Sequence, residues 1–129
     1  MANKTELISK LGQEILRAKD LQGNSWDSLA LVIDLDEGHF AQSGYLYTSE
    51  EVVPFTAITP ERRKLSSLCN ELRKLIHEES DAYVKQMLMQ IRSQDTSLKI
   101  DFEFEDSSRW SITPSNMHQA RENLRPTFD

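Results

Sequence analysis

The stretch Leu98-Lys99-Ile100-Asp101-Phe102-Glu103-Phe104-Glu105 decides the fold. Leu98, Ile100, Phe102 and Phe104 alternate with Lys99, Asp101, Glu103 and Glu105. Strict period two marks a strand with one apolar and one charged face. Such a strand needs a neighbour. The nearest segment, 82–92, is ambiguous by itself. Tyr83, Val84, Met87, Leu88 and Ile91 fit a helix, while Tyr83, Met87, Met89 and Ile91 fit one strand face interrupted by Lys85. Ser93 to Ser97 is turn-like, so the two segments read as a hairpin and 82–92 as its first strand.

The rest follows outward from this pair. Leu7, Ile8, Leu11, Ile15 and Leu16 stand at helical spacing, capped by Asn3 or Thr5 and stopped at residues 22–25. After Trp26, Leu29, Leu31, Ile33 and Leu35 alternate with Ala30, Val32, Asp34 and Asp36. Phe40 to Thr48 reads as the second strand of a hairpin whose tip holds Asp36 and Glu37. Thr59-Pro60-Glu61 has the chemistry of a helix start, and Leu65, Leu68, Cys69, Leu72, Leu75 and Ile76 follow at helical spacing. Trp110 to Ile112 reads as a short strand, and 114–123 as a last helix. The order is α-β-β-α-β-β-β-α. It predicts an α+β protein, one domain over residues 1–129, with an antiparallel sheet of about five strands and helices packed on one side. The other side is expected to face water or a partner.

Composition narrows the function. The 129 residues carry a net charge of −6, which disfavours non-specific nucleic-acid binding. No apolar run approaches the roughly 20 residues of a membrane span, and residues 1–10 lack the apolar run of a signal peptide. A cytoplasmic location is therefore expected. The lone Cys69 excludes an internal disulfide, and it sits on an apolar helical stripe, as a core residue does. Four glycines leave no room for a glycine-rich phosphate loop, and no cofactor is expected.

The charge is unevenly placed. Residues 26–58 hold Asp27, Asp34, Asp36, Glu37, Glu50 and Glu51 without one Lys or Arg. A second acidic block runs from Asp101 to Asp106. Such blocks are compatible with a cationic protein partner. Metal binding is the competing chemistry. Asp34, Asp36 and His39 fall close together, but their spacing matches no ligand signature. The ladder Asp101, Glu103, Glu105 spaces carboxylates about 7 Å apart along one strand face, and metal-dependent nucleases also carry acidic residues on strands to hold magnesium. Its only flanking cation is Lys99 and its surroundings are negative, so arginine and lysine side chains suit it better than phosphate. No metal site is expected. Neither Gly-x-Ser-x-Gly nor a serine–lysine motif is present, and His77 and His118 read as helix-surface residues. Trp26 and Trp110 are expected to pin helices to the sheet.

The elements also carry a resemblance. A strand opens on Trp26, a second ends in Gly44-Tyr45-Leu46-Tyr47, and a long leucine-rich helix follows. A strand pair then closes on Lys99-Ile100-Asp101-Phe102-Glu103-Phe104-Glu105-Asp106, before Arg109-Trp110-Ser111-Ile112-Thr113-Pro114-Ser115-Asn116. This pattern resembles the YezG-like immunity proteins of bacterial polymorphic toxin and contact-dependent growth-inhibition systems. The resemblance implies a strand over the ambiguous segment. It also implies a cytosolic non-enzyme that binds one toxin domain, often a C-terminal nuclease, and blocks it. A nuclease must be basic where it grips phosphate, and an inhibitor can present carboxylates in the phosphates' place. The expected contact residues are Asp34, Asp36, Glu37, Asp101, Glu103, Glu105 and Asp106, with Tyr45 and Tyr47 as anchors if their face is outer. A monomer or weak dimer is expected. The alternatives are a type III-like secretion chaperone holding an extended effector segment and, behind it, a small metal-dependent enzyme.

Overall fold

Leu29-Ala30-Leu31-Val32-Ile33 is an unbroken apolar run, and all five side chains are buried. A strand buried on both faces belongs in the middle of a sheet that is covered on both sides. The computed structural model places it there. It describes residues 3–22, 25–35, 40–48, 51–106 and 109–126. β1 (Ser28–Asp34) is the central strand. β2 (Ala41–Tyr47) pairs with it on one side, and β3 (Val52–Phe55) lies beyond β2. β4 (Gln86–Arg92) pairs with it on the other side, and β5 (Leu98–Glu103) lies beyond β4. The order is β3-β2-β1-β4-β5, and every pairing is antiparallel. The ambiguous segment is thus a strand, and the α+β class holds.

Helices α1 (Lys4–Ile15) and α2 (Arg62–Ser80) cover one face. The Asn3 side chain caps α1 by accepting from the Glu6 N–H at 2.8 Å. Leu7, Leu11 and Ile15 meet Leu65, Cys69, Leu72 and Ile76 over Leu29, Leu31, Ile33, Met87, Met89 and Ile91. Burial pushes the Cys69 thiol up to about 12, so it stays protonated and inert. Gly44 of β2 lies opposite Leu31 of β1. A Cβ there would overlap the Ala30 carbonyl, so only glycine fits.

Three expectations need correction. Helices do not stay on one side: α3 (Met117–Asn123) packs on the opposite face. There Ala120 and Leu124 close over Ala30, Val32, Tyr45, Tyr47 and Leu88, with Trp110 and Ile112 at the margin. Trp110 to Ile112 is a turn and loop, not a strand. The remaining strand is β3, before α2. Its Pro54 argues against a strand, yet an edge strand can tolerate a residue without an N–H. Finally, α2 begins at Arg62 rather than Pro60. Thr59 is buried and does not cap it through a side-chain bond.

Candidate protein-binding surface

The register brings Asp34 of the first acidic block to the same end of the sheet as the second block, whereas Asp27 and Glu51 lie at the opposite end. Asp34 is paired with Gln86, and Gln86 with Glu103, in a single row across β1, β4 and β5. Two strand spacings separate Asp34 from Glu103, about 10 Å. Alternation puts both on the α3 side, as it does Ala30, Val32 and Leu88. Beyond β5 the exposed Glu105 and Asp106 continue the row. Asp101 is exposed, one alternate position further in along β5. Asp36, Glu37 and His39 lie outside the described residues. Lys85 and Arg109 are the nearby cations in the sequence, so carboxylates outnumber cations there.

Glu103 does not project to meet a partner. Its Oε2 accepts from the Glu105 N–H at 2.9 Å and the Asp106 N–H at 3.0 Å. Its Oε1 accepts from Arg109 Nη1 at 2.8 Å. The Glu103 side chain is 14% exposed, whereas that of Arg109 is 55% exposed. The two main-chain donors, that of Asp106 foremost, and then Arg109, hold the carboxyl at about 2. Glu103 therefore builds the turn that presents Glu105 and Asp106. Its expected contact role becomes a positioning one.

Tyr45 and Tyr47 are also corrected. They are buried beneath α3, not on an outer face. The Tyr45 hydroxyl donates to the Met117 carbonyl at 3.2 Å, and that of Tyr47 to the Arg121 carbonyl at 2.7 Å. Arg125 lies over the Tyr47 ring at 4.8 Å. Two buried glutamines of β4, which sequence reasoning missed, complete the attachment. Gln90 Nε2 donates to the Leu124 carbonyl at 3.0 Å. Gln86 Nε2 donates to Ser111 Oγ, and its Oε1 accepts from the Trp110 N–H at 2.9 Å. Four side chains of the sheet thus bind the segment that crosses its second face. Their signal was available: Gln86, Leu88 and Gln90 share one face of β4, with Leu88 its only apolar residue.

Among the described residues, no group of three or more His, Cys, Asp or Glu is placed to hold a metal. A hollow of about 490 Å³ is lined in part by Phe40, Gln42, Ile58 and Arg63 and by the hydroxyl residues Thr56, Thr59 and Ser66, with no His, Asp or Glu in its lining to act as a base. The rings of His77 and Tyr83 stack at 3.8 Å, 8° from parallel, with the Arg73 guanidinium 4.8 Å from the Tyr83 ring. No helix among the described residues is long and apolar enough to cross a membrane. No family model matches the chain, and no curated protein does.

Proposed function

We propose that this protein is an immunity protein that binds and neutralises a toxin domain, most readily a basic nuclease, and has no turnover of its own. The observation that carries the reading is the convergence of Asp34, Glu105 and Asp106 at one end of the sheet. Carboxylates far apart in sequence thereby stand at one end of the sheet, and the resemblance to YezG-like immunity proteins points the same way. Carboxylates so placed can pair with the lysines and arginines that a nuclease uses for phosphate, some of them bidentately. Occupying those cations excludes nucleic acid. The attraction also speeds encounter, which matters for an inhibitor that must act before the first cuts. Asp36 and Glu37 belong to the same acidic segment of sequence as Asp34.

The test is capture of tagged protein from the native cell. The expected result is one stoichiometric C-terminal toxin fragment, lethal alone and harmless when this protein is co-expressed. Protection should fall with the double variant Asp34→Lys, Glu105→Lys. Full protection by that variant would contradict the acidic-end mechanism. Recovery of an effector N-terminal segment with no toxic activity would contradict the immunity reading itself.

A further inference from the structure

The two edges of the sheet are not alike. β3 is four residues long and contains Pro54, so it offers little to another strand. β5 is six residues long, with neither proline nor glycine. Its inner side is satisfied by β4: Arg92 N donates to Ser97 O at 3.0 Å, and the ladder continues from there. In an antiparallel ladder this turns the main chain of Lys99, Asp101 and Glu103 towards β4 and that of Leu98, Ile100 and Phe102 outwards. Among the described residues, no main-chain hydrogen bond from outside the ladder reaches Leu98, Ile100 or Phe102. Lys99 and Asp101 flank Ile100 on the α3 side, both exposed, and neither makes an ion pair among the described residues.

We propose that β5 pairs antiparallel with β5 of a second copy of this chain, about a two-fold axis at Ile100, continuing the sheet across two molecules. The order of charges selects this occupant and this register. With Ile100 on the axis, Lys99 of each copy faces Asp101 of the other. These are non-hydrogen-bonded pairs, in which side chains approach most closely. On one chain the same two residues are about 7 Å apart along the strand, too far for a tight pair. The other registers centred between Lys99 and Phe102 fail on charge, and an axis at Leu98 leaves Lys99 opposite the neutral Ser97. An axis at Phe102 sets Asp101 against Glu103, one at Asp101 sets Asp101 against itself, and one at Lys99 sets lysine against lysine.

The apolar face agrees. Leu98, Ile100 and Phe102 are only half-buried, on the side of α1. A groove of about 340 Å³ opens beside Leu98, lined in part by Ile8, Gly12, Leu16 and Leu98 itself. In the proposed register Phe102 of the second copy stands beside Leu98, at the mouth of this groove. A single strand seam buries little area, so the dimer is weak and concentration-dependent. Glu105, Asp106 and Asp34 stay outside the paired stretch 98–102, and the pairing does not depend on the immunity reading.

Sedimentation equilibrium of the full chain over a concentration series tests it. Wild type should show a reversible monomer–dimer equilibrium. Lys99→Glu and Asp101→Lys each set like charges together twice across the axis, and each should raise the dissociation constant at least about tenfold. The swap Lys99→Glu with Asp101→Lys restores opposite pairs and should return it to near the wild-type value. Ile100→Pro removes an outward N–H without touching the β4 ladder, and should abolish the dimer. A monomer at every concentration up to about 1 mM would overturn the proposal. So would a dimer indifferent to these variants, or one that the charge swap fails to restore. Near-ultraviolet circular dichroism of each variant separates loss of pairing from loss of fold.

Discussion

Glu103 and Gln86 face each other across β5 and β4, and both bind the main chain of the segment leading to α3. Neither role can be read from spacing. Glu103 occupies a charged position in a regular alternation, and the pattern is the same whether its carboxylate meets water or main-chain donors. The same holds for Tyr45 and Tyr47: alternation shows that they share a face, but the carbonyls they bind lie 72 and 74 residues away. Glu103 has a measurable signature. Its carboxyl is held at about 2, below its usual 4.5, so it is ionised in the folded state before the unfolded state ionises. The stability it contributes is fully present above pH 4.5 and is lost as pH falls through about 2. A carboxyl titration by nuclear magnetic resonance should show its midpoint near 2. Glu103→Gln should flatten the acid limb of the stability curve over that window. A midpoint near 4.5 would mean that the turn around Arg109 is open in solution.

Among the elements, β5 was legible from its alternation, although the pattern runs on through Phe104 and Glu105 while the strand ends at Glu103, where the Glu103 side chain turns the chain. β4 was legible through β5, since a strand needs a neighbour. β1 was only half read. Asp34 and Asp36 suggested a wet second face, yet the run Leu29 to Ile33 has no polar residue, and that is how a doubly covered strand reads. From that error followed the belief that helices lie on one side only. β3 was hidden by Pro54, and the last helix was drawn too long, since α3 begins at Met117. A seven-residue helix has little stability alone, and its place depends on the sheet side chains that bind it. Removing one should therefore loosen α3 before anything else. Tyr47→Phe leaves the Arg121 carbonyl without its donor and should cost about 1–2 kcal/mol. Hydrogen exchange should then quicken in α3 while α1 and α2 stay protected. Equal quickening in all three helices would show instead that α3 unfolds only with the main core.

For the whole molecule, a net charge of −6 describes the chain poorly, because the fold brings Asp34 to the end of the sheet where Glu103, Glu105 and Asp106 lie. The acidic blocks were visible in the sequence. The approach of Asp34 to the second block was not, because it depends on β1 and β5 each pairing with β4. α3 and its attachments occupy the face that seemed free, so the end and the β5 edge remain as surfaces for partners. The central claim is that this acidic end steers a basic toxin domain onto the protein. The most direct measurement is the association rate with that domain against ionic strength, for wild type and for Asp34→Lys with Glu105→Lys. The account predicts a rate that falls steeply with salt in wild type, and a variant slower by about tenfold or more at low salt with a flatter dependence. Identical rates and salt slopes for the two proteins would contradict it.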